Sequence, residues 1–281
     1  MLENYYYEPI SSEILCQHKV TTGCQTFPYH RHNGYEIFLF IQGNINYYIE
    51  HNCFQLTTGD LFITPPSEMH RVVSLDDNLY ERITLNIKRP VLDRLSTPKT
   101  DLSACFNTTN LGQNIFVRLE NEDLKKFINL ANDLSRVLES DNYGSDILIN
   151  VYLSQLLLLV NSCYRQSSFS QQSIMPPLIK NVMLYIEQNL TTDISLEKLT
   201  NKFYHDGTYI SRQFKHHTGL TLREYILDRR IEEAKRLLSN GENVSEACCE
   251  SGFSNYSNFI RSFTKLVGIS PGKYMRLSKT M

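Results

Sequence analysis

Thr208-Tyr209-Ile210-Ser211-Arg212-Gln213-Phe214-Lys215 and Tyr256-Ser257-Asn258-Phe259-Ile260-Arg261-Ser262-Phe263-Thr264-Lys265 decide the reading of this chain. The first follows Ser195-Leu196-Glu197-Lys198-Leu199-Thr200 after a short gap, and the second follows Val244 to Phe253. Each pair spells a short helix, a tight turn and a second helix. The pattern Ile210-x-Arg212-x-Phe214 recurs as Phe259-x-Arg261-x-Phe263. This is a helix-turn-helix repeated. Ile210, Phe214, Phe259 and Phe263 form apolar stripes for packing. Ala247 and Cys248 are small enough for close helix approach, and Gly252 suits the positive φ that ends a helix. Asp206 and Ser254 are expected to cap the second helices.

That packing leaves Thr208, Ser211 and Arg212, and later Asn255, Tyr256, Asn258 and Arg261, outward and near helix N-termini. These positions reach base edges in a DNA major groove, and Arg212 and Arg261 suit bidentate contacts to guanine. Between the motifs, an amphipathic helix over roughly 222–238 carries Arg223, Arg229, Arg230, Lys235 and Arg236. A rigid connector of this kind can hold two recognition helices about 34 Å apart, one DNA turn. A plain helical bundle with solvated arginines would explain one such pattern. Two in register within a basic segment favour DNA binding.

Charge agrees with that division. Residues 1–175 hold 13 Lys+Arg against 19 Asp+Glu, and residues 176–281 hold 15 against 11. An acidic part is joined to a basic one, and only the latter is expected to meet a polyanion. The boundary is written in the chain as well. Gln166 to Ser173 is polar and low in complexity and Pro176-Pro177 follows, so 166–175 is expected to be a linker. Ser270-Pro271 fits a helix start.

Residues 25–87 have β character. Tyr35 to Ile41, Ile45 to Ile49 and Arg82 to Ile87 are rich in β-branched and aromatic residues, with turn signals at Gly43-Asn44 and Thr57 to Asp60. Short strands at this spacing predict a barrel or sandwich. After about residue 120 the period becomes helical through Leu124, Phe127, Ile128, Ala131, Leu134, Val137 and Leu138. A second helix over roughly 145–164, apolar on nearly all sides at Leu156 to Val160, is expected to bury two faces, one of them against a second copy.

Residues 176–281 resemble the DNA-binding domain of AraC-type transcription regulators. The resemblance rests on Ser195 to Leu199, Tyr209 to Lys215, Arg230-Ile231-Glu232-Glu233-Ala234-Lys235-Arg236-Leu237-Leu238, Gly252-Phe253-Ser254 and Gly268-Ile269-Ser270-Pro271-Gly272-Lys273-Tyr274. It implies two adjacent major-groove contacts on double-stranded DNA and a regulator, usually an activator, that works with RNA polymerase. The sequence departs from the family with Thr200 where Ala is usual, Tyr204 where a turn glycine is usual, Cys248-Cys249, and Met275 in place of Arg.

His30-x-His32-x-x-x-Glu36, then Gly43, resembles the first cupin motif, and Gly59-x5-Pro65, then His70, resembles the second. In cupins these four side chains converge inside a barrel. Residues 30, 32, 36, 38 and 40 share strand parity, so Glu36, Phe38 and Phe40 can face one interior. Tyr47 and Tyr48 alternate, so one of them should face inward. Three readings stay open: an organic effector met by His30, His32, Glu36, Phe38 and His70; a metal on His30, His32, Glu36 and His70; or side chains satisfied only by neighbours.

The expected architecture is two-domain α+β. A cupin-like β-barrel followed by helices (1–165) senses and dimerises, and an all-α double helix-turn-helix domain (176–281) binds DNA. The expected function is a sequence-specific, effector-controlled transcription regulator without enzymatic activity and without a resident cofactor. Its partners are DNA, an unidentified small molecule, RNA polymerase and a second copy. The alternatives are a metal-dependent cupin enzyme with a DNA-binding tail and a constitutive DNA-binding dimer. Seven cysteines, an odd number with no C-x-x-C pair, argue against a disulfide framework. No run approaches the roughly 18 apolar residues needed to span a bilayer. Met1 to Tyr5 lacks the pattern of a secretory signal. A reduced, cytoplasmic protein without a membrane partner is expected.

Overall fold

The computed structural model describes residues 6–8, 12–23, 29–66, 68–107, 116–166 and 172–278. Met1 to Tyr5 and linker residues 167–171 lie outside them. The chain divides into two compact units, one N-terminal and ending at Ile174, the other beginning at Met175.

The N-terminal unit is built on two sheets. Strands β1 (Tyr6–Glu8), β2 (Ile14–Thr21), β3 (His30–His32), β4 (Tyr35–Gln42), β5 (Ile45–Ile49), β6 (Asn52–Gln55), β7 (Asp60–Thr64), β8 (His70–Ser74), β9 (Tyr80–Ile87) and β10 (Phe116–Arg118) form them. The orders are β1-β3-β8-β5-β6 and β10-β7-β4-β9-β2. Alternation along β4 decides the layering. Ile37 and Leu39 face outward into a core shared with Ile63, Leu85 and the following helices. Glu36, Phe38 and Phe40 face inward. Phe38 pairs with Phe62, and Glu36 with Thr64. On the opposite sheet Tyr47 pairs with Val72, and Ile49 with His70.

The interior between the sheets is filled by rings. Tyr47 lies 4.3 Å from Phe62 and 4.9 Å from Phe38 between ring centroids. Phe54 and Phe116 pack on Phe62, and Phe40 and Tyr80 belong to the same cluster. Tyr47 is the tyrosine that faces the interior, whereas Tyr48 lies beneath the Arg71 guanidinium, 5.1 Å from its ring centroid.

Helices α1 (Arg89–Leu95), α2 (Asn121–Leu138) and α3 (Ser145–Gln166) follow. Hydrogen bonds hold α2 on β2: the Cys16 thiol donates to the Ala131 carbonyl, and the Ser135 hydroxyl to the Cys16 carbonyl. His18 Nδ1 lies 2.9 Å from Asn132 Oδ1, while its Nε2 lies 2.8 Å from Glu81. Leu153, Leu156, Leu157 and Val160 of α3 are fully buried, and Asn161 donates to the Leu102 carbonyl. The other face of α3 leaves Ile147, Leu148, Val151 and Leu158 exposed. Among the described residues, α3 is a helix long and apolar enough, by length and composition, to cross a membrane. This corrects the expectation that no stretch comes near that length: Asn150, Ser154, Gln155 and Asn161 interrupt the apolar residues of α3 without making the helix polar on average.

Residues Ser173 and Ile174, expected in the linker, hold to β6. The Cys53 amide donates to Ser173 Oγ at 3.1 Å, and the Ile174 amide to the Cys53 carbonyl at 2.7 Å.

The C-terminal unit contains α4 (Pro177–Gln188), α5 (Leu196–Phe203), α6 (Gly207–Thr218), α7 (Leu222–Ser239), α8 (Val244–Glu250), α9 (Tyr256–Val267) and α10 (Pro271–Ser278). Local chemistry sets their ends. Ser195 caps α5 and Asp206 caps α6 through its Oδ1, which accepts the Tyr209 amide. Thr221/Glu224 and Asn243/Glu246 form capping boxes on α7 and α8. The cap of α9 is Asn255, not Ser254, because Asn255 is the residue whose Oδ1 accepts the Asn258 amide, at 2.8 Å. The α8–α9 turn is a complete Schellman closure. The Phe253 amide donates to the Cys248 carbonyl and the Gly252 amide to the Cys249 carbonyl.

The first turn closes differently. Tyr204 takes φ 56° and ψ 36° at the end of α5, and the residue is 92% exposed. A left-handed non-glycine residue costs about 1–2 kcal/mol, and this ring has little packing to lose. Tyr204→Gly should therefore raise stability by about 1 kcal/mol, after allowing for glycine's greater freedom when unfolded. Thermal melting of both chains checks this.

Candidate nucleic-acid interface and barrel histidine cluster

Packing of the two motifs turns one face of each second helix outward. Ile210 and Phe214 of α6 are fully buried, as are Phe259 and Phe263 of α9. Leu199, Leu220 and Tyr225 of the same unit are buried too, and Phe214 lies edge-on to Tyr225 at 5.3 Å. Phe259 and Phe263 sit against Ala247, Cys248 and Ile231.

The opposite faces of α6 and α9 line one groove of about 1320 Å³. Thr208, Ser211 and Arg212 enter it from α6, and Asn258 and Arg261 from α9. Arg261 is oriented within it, since its Nη2 donates to Asn258 Oδ1 at 3.2 Å. Asn255 and Tyr256 are placed differently. Asn255 spends its side-chain oxygen on the helix cap, and Tyr256 lies half exposed over a shallow depression with Ile260 and Thr264.

Sequence reasoning missed Lys215, Lys265 and Ser262 as groove residues. The signal was present: Lys215 lies three residues after Arg212 and Lys265 four after Arg261, on the same helix faces. The connector supplies less free charge than its composition suggests. Arg229 pairs with Glu187 at 3.0 Å, Lys235 with Glu232, and Arg236 with Glu233. Arg230 also lines the groove but is held by backbone carbonyls, and Arg223 is exposed there.

In the N-terminal unit the four predicted polar side chains converge. His30 pairs with His70 across β3 and β8. His32 Nε2 lies 3.0 Å from one Glu36 oxygen, and His70 Nε2 lies 3.3 Å from the other. All three of these side chains are at most 6% exposed. Burial pushes the Glu36 carboxyl up, but the His70 and His32 imidazoles beside it outweigh burial and hold it well below the usual carboxylate range. One ring nitrogen from each of His30, His32 and His70 falls within 4.8 Å of the others. That donor set suits a zinc, iron, manganese or nickel ion. Phe38 is 3% exposed, inside the ring cluster below. Tyr47 joins the two zones, stacked at 6.1 Å from His70.

Two helix-turn-helix units facing one basic groove, joined to a β-domain with a convergent polar centre, define a DNA-binding protein of the helix-turn-helix class with an appended ligand-binding fold. Residues 199–277 match the helix-turn-helix domain model, and residues 20–157 match the AraC-like ligand binding domain model. The chain belongs to the AraC-type family of regulators.

Among curated relatives, the uncharacterized HTH-type transcriptional regulator YdiP of Escherichia coli K12 is 30% identical over 154 residues, 53% of this chain and 51% of its own length. An uncharacterized HTH-type transcriptional regulator of Staphylococcus aureus MRSA252 (SAR0107) is 25% identical over 250 residues, 87% of this chain and 32% of its own length. The chain thus spans about half the length of the first and about a third of the second. Among solved structures, fatty-acid-bound ToxT of Vibrio cholerae aligns over 94% of this chain and 95% of its own, at 16% identity and a TM-score of 0.41.

Proposed function

We propose that this protein is a sequence-specific transcription regulator that binds double-stranded DNA through α6 and α9. The single observation that carries this is the shared groove, into which Thr208, Ser211, Arg212, Asn258 and Arg261 all project. Thr208, Ser211, Arg212, Asn258 and Arg261 read bases. Lys215, Arg223 and Lys265 supply phosphate contacts, which position without specifying. Asn255 serves chiefly as a cap and Tyr256 flanks the base-reading set.

The N-terminal unit senses a small molecule. His30, His32, Glu36 and His70 offer polar partners at one end of a ring-packed interior that includes Phe38. An effector seats there by moving those rings, and it changes DNA binding only as far as it binds the two states differently. The exposed apolar face of α3 is the surface for a second copy, and the solution mass from sedimentation tests that pairing. Activation engages RNA polymerase, and the work is done in the cytoplasm. We read the protein as non-enzymatic.

Affinity enrichment of sheared genomic DNA on the purified protein, at fixed salt, tests the main reading. A few enriched upstream regions are expected, and uniform recovery at every salt overturns it. On an enriched fragment, Arg261→Ala should cost about 1–3 kcal/mol, with little change on mixed-sequence duplex. Equal losses on both would make Arg261 a phosphate contact.

A second reading is favoured by the 4.8 Å convergence of His30, His32 and His70: the sensed ligand is a divalent transition metal, with Glu36 as a fourth donor. Near-stoichiometric metal in the purified protein, lost in His32→Ala, supports it. Metal content unchanged by that substitution removes it.

A further inference from the structure

The connector residue Arg230 lines the groove and feels the Asp193 carboxylate, yet its hydrogen bonds go to backbone. Its Nε donates to the Leu190 carbonyl at 2.9 Å, and its Nη2 donates to the Thr192 carbonyl at 2.9 Å. Leu190 and Thr192 belong to the segment between α4 and α5, which leads directly into Ser195, the cap of the first helix-turn-helix. The same Leu190 carbonyl lies against the turn of the second helix-turn-helix. A Cβ on Gly252 would stand 2.0 Å from that oxygen and 2.9 Å from Arg230 Nε. One guanidinium, one carbonyl and one bare Cα therefore meet where the first motif, the connector and the second motif join.

We propose that Arg230 is a positioning residue for DNA recognition: by bridging Leu190 and Thr192 against the Gly252 turn, it sets the spacing of α6 and α9 across their common groove. This rests on the DNA-binding reading above. The physical reason is effective concentration. Once α6 docks, α9 binds as an intramolecular partner, and the gain from that linkage is large only when the linkage matches the span. Two backbone carbonyls held by one planar fork give a fixed geometry that a lysine, with its single flexible ammonium, does not reproduce. Arg230 would then support both recognition helices while making no base contact itself.

The test uses the full chain, with Arg230→Met and Arg230→Lys, on an enriched genomic fragment and on mixed-sequence duplex at several salt concentrations. Arg230→Met should weaken binding to the fragment about 10- to 100-fold and leave the salt slope and the mixed-sequence affinity unchanged. Arg230→Lys should fall between, and it keeps the test alive where the methionine variant folds poorly. In the Arg230→Met background the cost of Arg212→Ala or of Arg261→Ala should shrink, because the helices no longer engage together.

Additive losses, with a salt slope smaller by about 0.9, would make Arg230 a phosphate contact and overturn the proposal, as would unchanged affinity for the fragment. Hydrogen exchange separates this outcome from failure of the DNA reading itself. Even if the wild-type protein enriches no fragment, Arg230→Met should speed amide exchange in both 189–194 and 251–254. Unchanged exchange in either segment overturns the positioning role.

Discussion

Gly252→Ala is expected to destabilise the C-terminal unit by about 2–5 kcal/mol. Two costs add. The backbone there has φ +89°, a region in which a side chain costs about 1–2 kcal/mol. The added methyl would also lie 2.0 Å from the Leu190 carbonyl oxygen and 2.8 Å from its carbon. Backbone cannot turn aside as a flexible side chain can, so the α4–α5 segment or the α8–α9 turn must move, an overpacking cost of about 1–3 kcal/mol. Gly268→Ala is the matched control. It has φ +81°, and among the described residues nothing lies within 4 Å of where its Cβ would stand, so only the conformational cost of about 1–2 kcal/mol should appear. Thermal melts of the two variants should differ by several degrees. Equal melting temperatures would mean that the Leu190 junction is slack.

His70→Leu is expected to cost about 3–5 kcal/mol at pH 7, because it strips a buried carboxylate of one of its two imidazoles. Glu36 is 5% exposed, so water does not replace the lost partner. Adding Glu36→Leu to His70→Leu should recover much of the loss, since removing the charge removes the penalty.

The pH dependence separates the cases. In the wild-type protein the folded Glu36 carboxyl titrates well below its unfolded value of about 4.3. Its contribution is present above that unfolded value and is lost as pH falls through the lower, folded one. In His70→Leu, burial dominates and pushes the carboxyl up. Stability should then improve relative to wild type as pH drops from 7 toward 5, because the folded state takes up the proton first. Urea unfolding at the two pH values measures this. A deficit that is independent of pH would mean that His70 acts through packing alone.

Much of the fold was legible because its signals are local. Asp206, read as a cap from the sequence, acts on an amide three residues away, and Ser195, Thr221/Glu224 and Asn243/Glu246, which the reading passed over, carry the same local signal. The Ile210/Phe214 and Phe259/Phe263 spacing states which face is buried, and hence that Arg212 and Arg261 face out. Strand parity places Glu36 and Phe38 on one face, because alternation is a property of the backbone itself. The choice of Ser254 as the α9 cap failed by one residue, since Ser254 and Asn255 are both competent caps and only the backbone conformation at Asn255 selects between them.

Pairings between distant segments were decided by tertiary structure. The sequence showed that Arg229 and Arg230 are basic. It did not show that Glu187 neutralises one and that the carbonyls of Leu190 and Thr192 hold the other, because those partners lie about 40 residues away and two of them are backbone, which carries no residue signature. Sequence by itself determined two helix-turn-helix units, a β-domain whose strand parity turns Glu36 and Phe38 inward, and part of the groove, Thr208, Ser211, Arg212, Asn258 and Arg261. Only the folded chain decided which charges remain free for DNA, that the barrel interior is packed with rings, and that Gly252 meets Leu190, because each depends on a distance between elements that no local periodicity encodes.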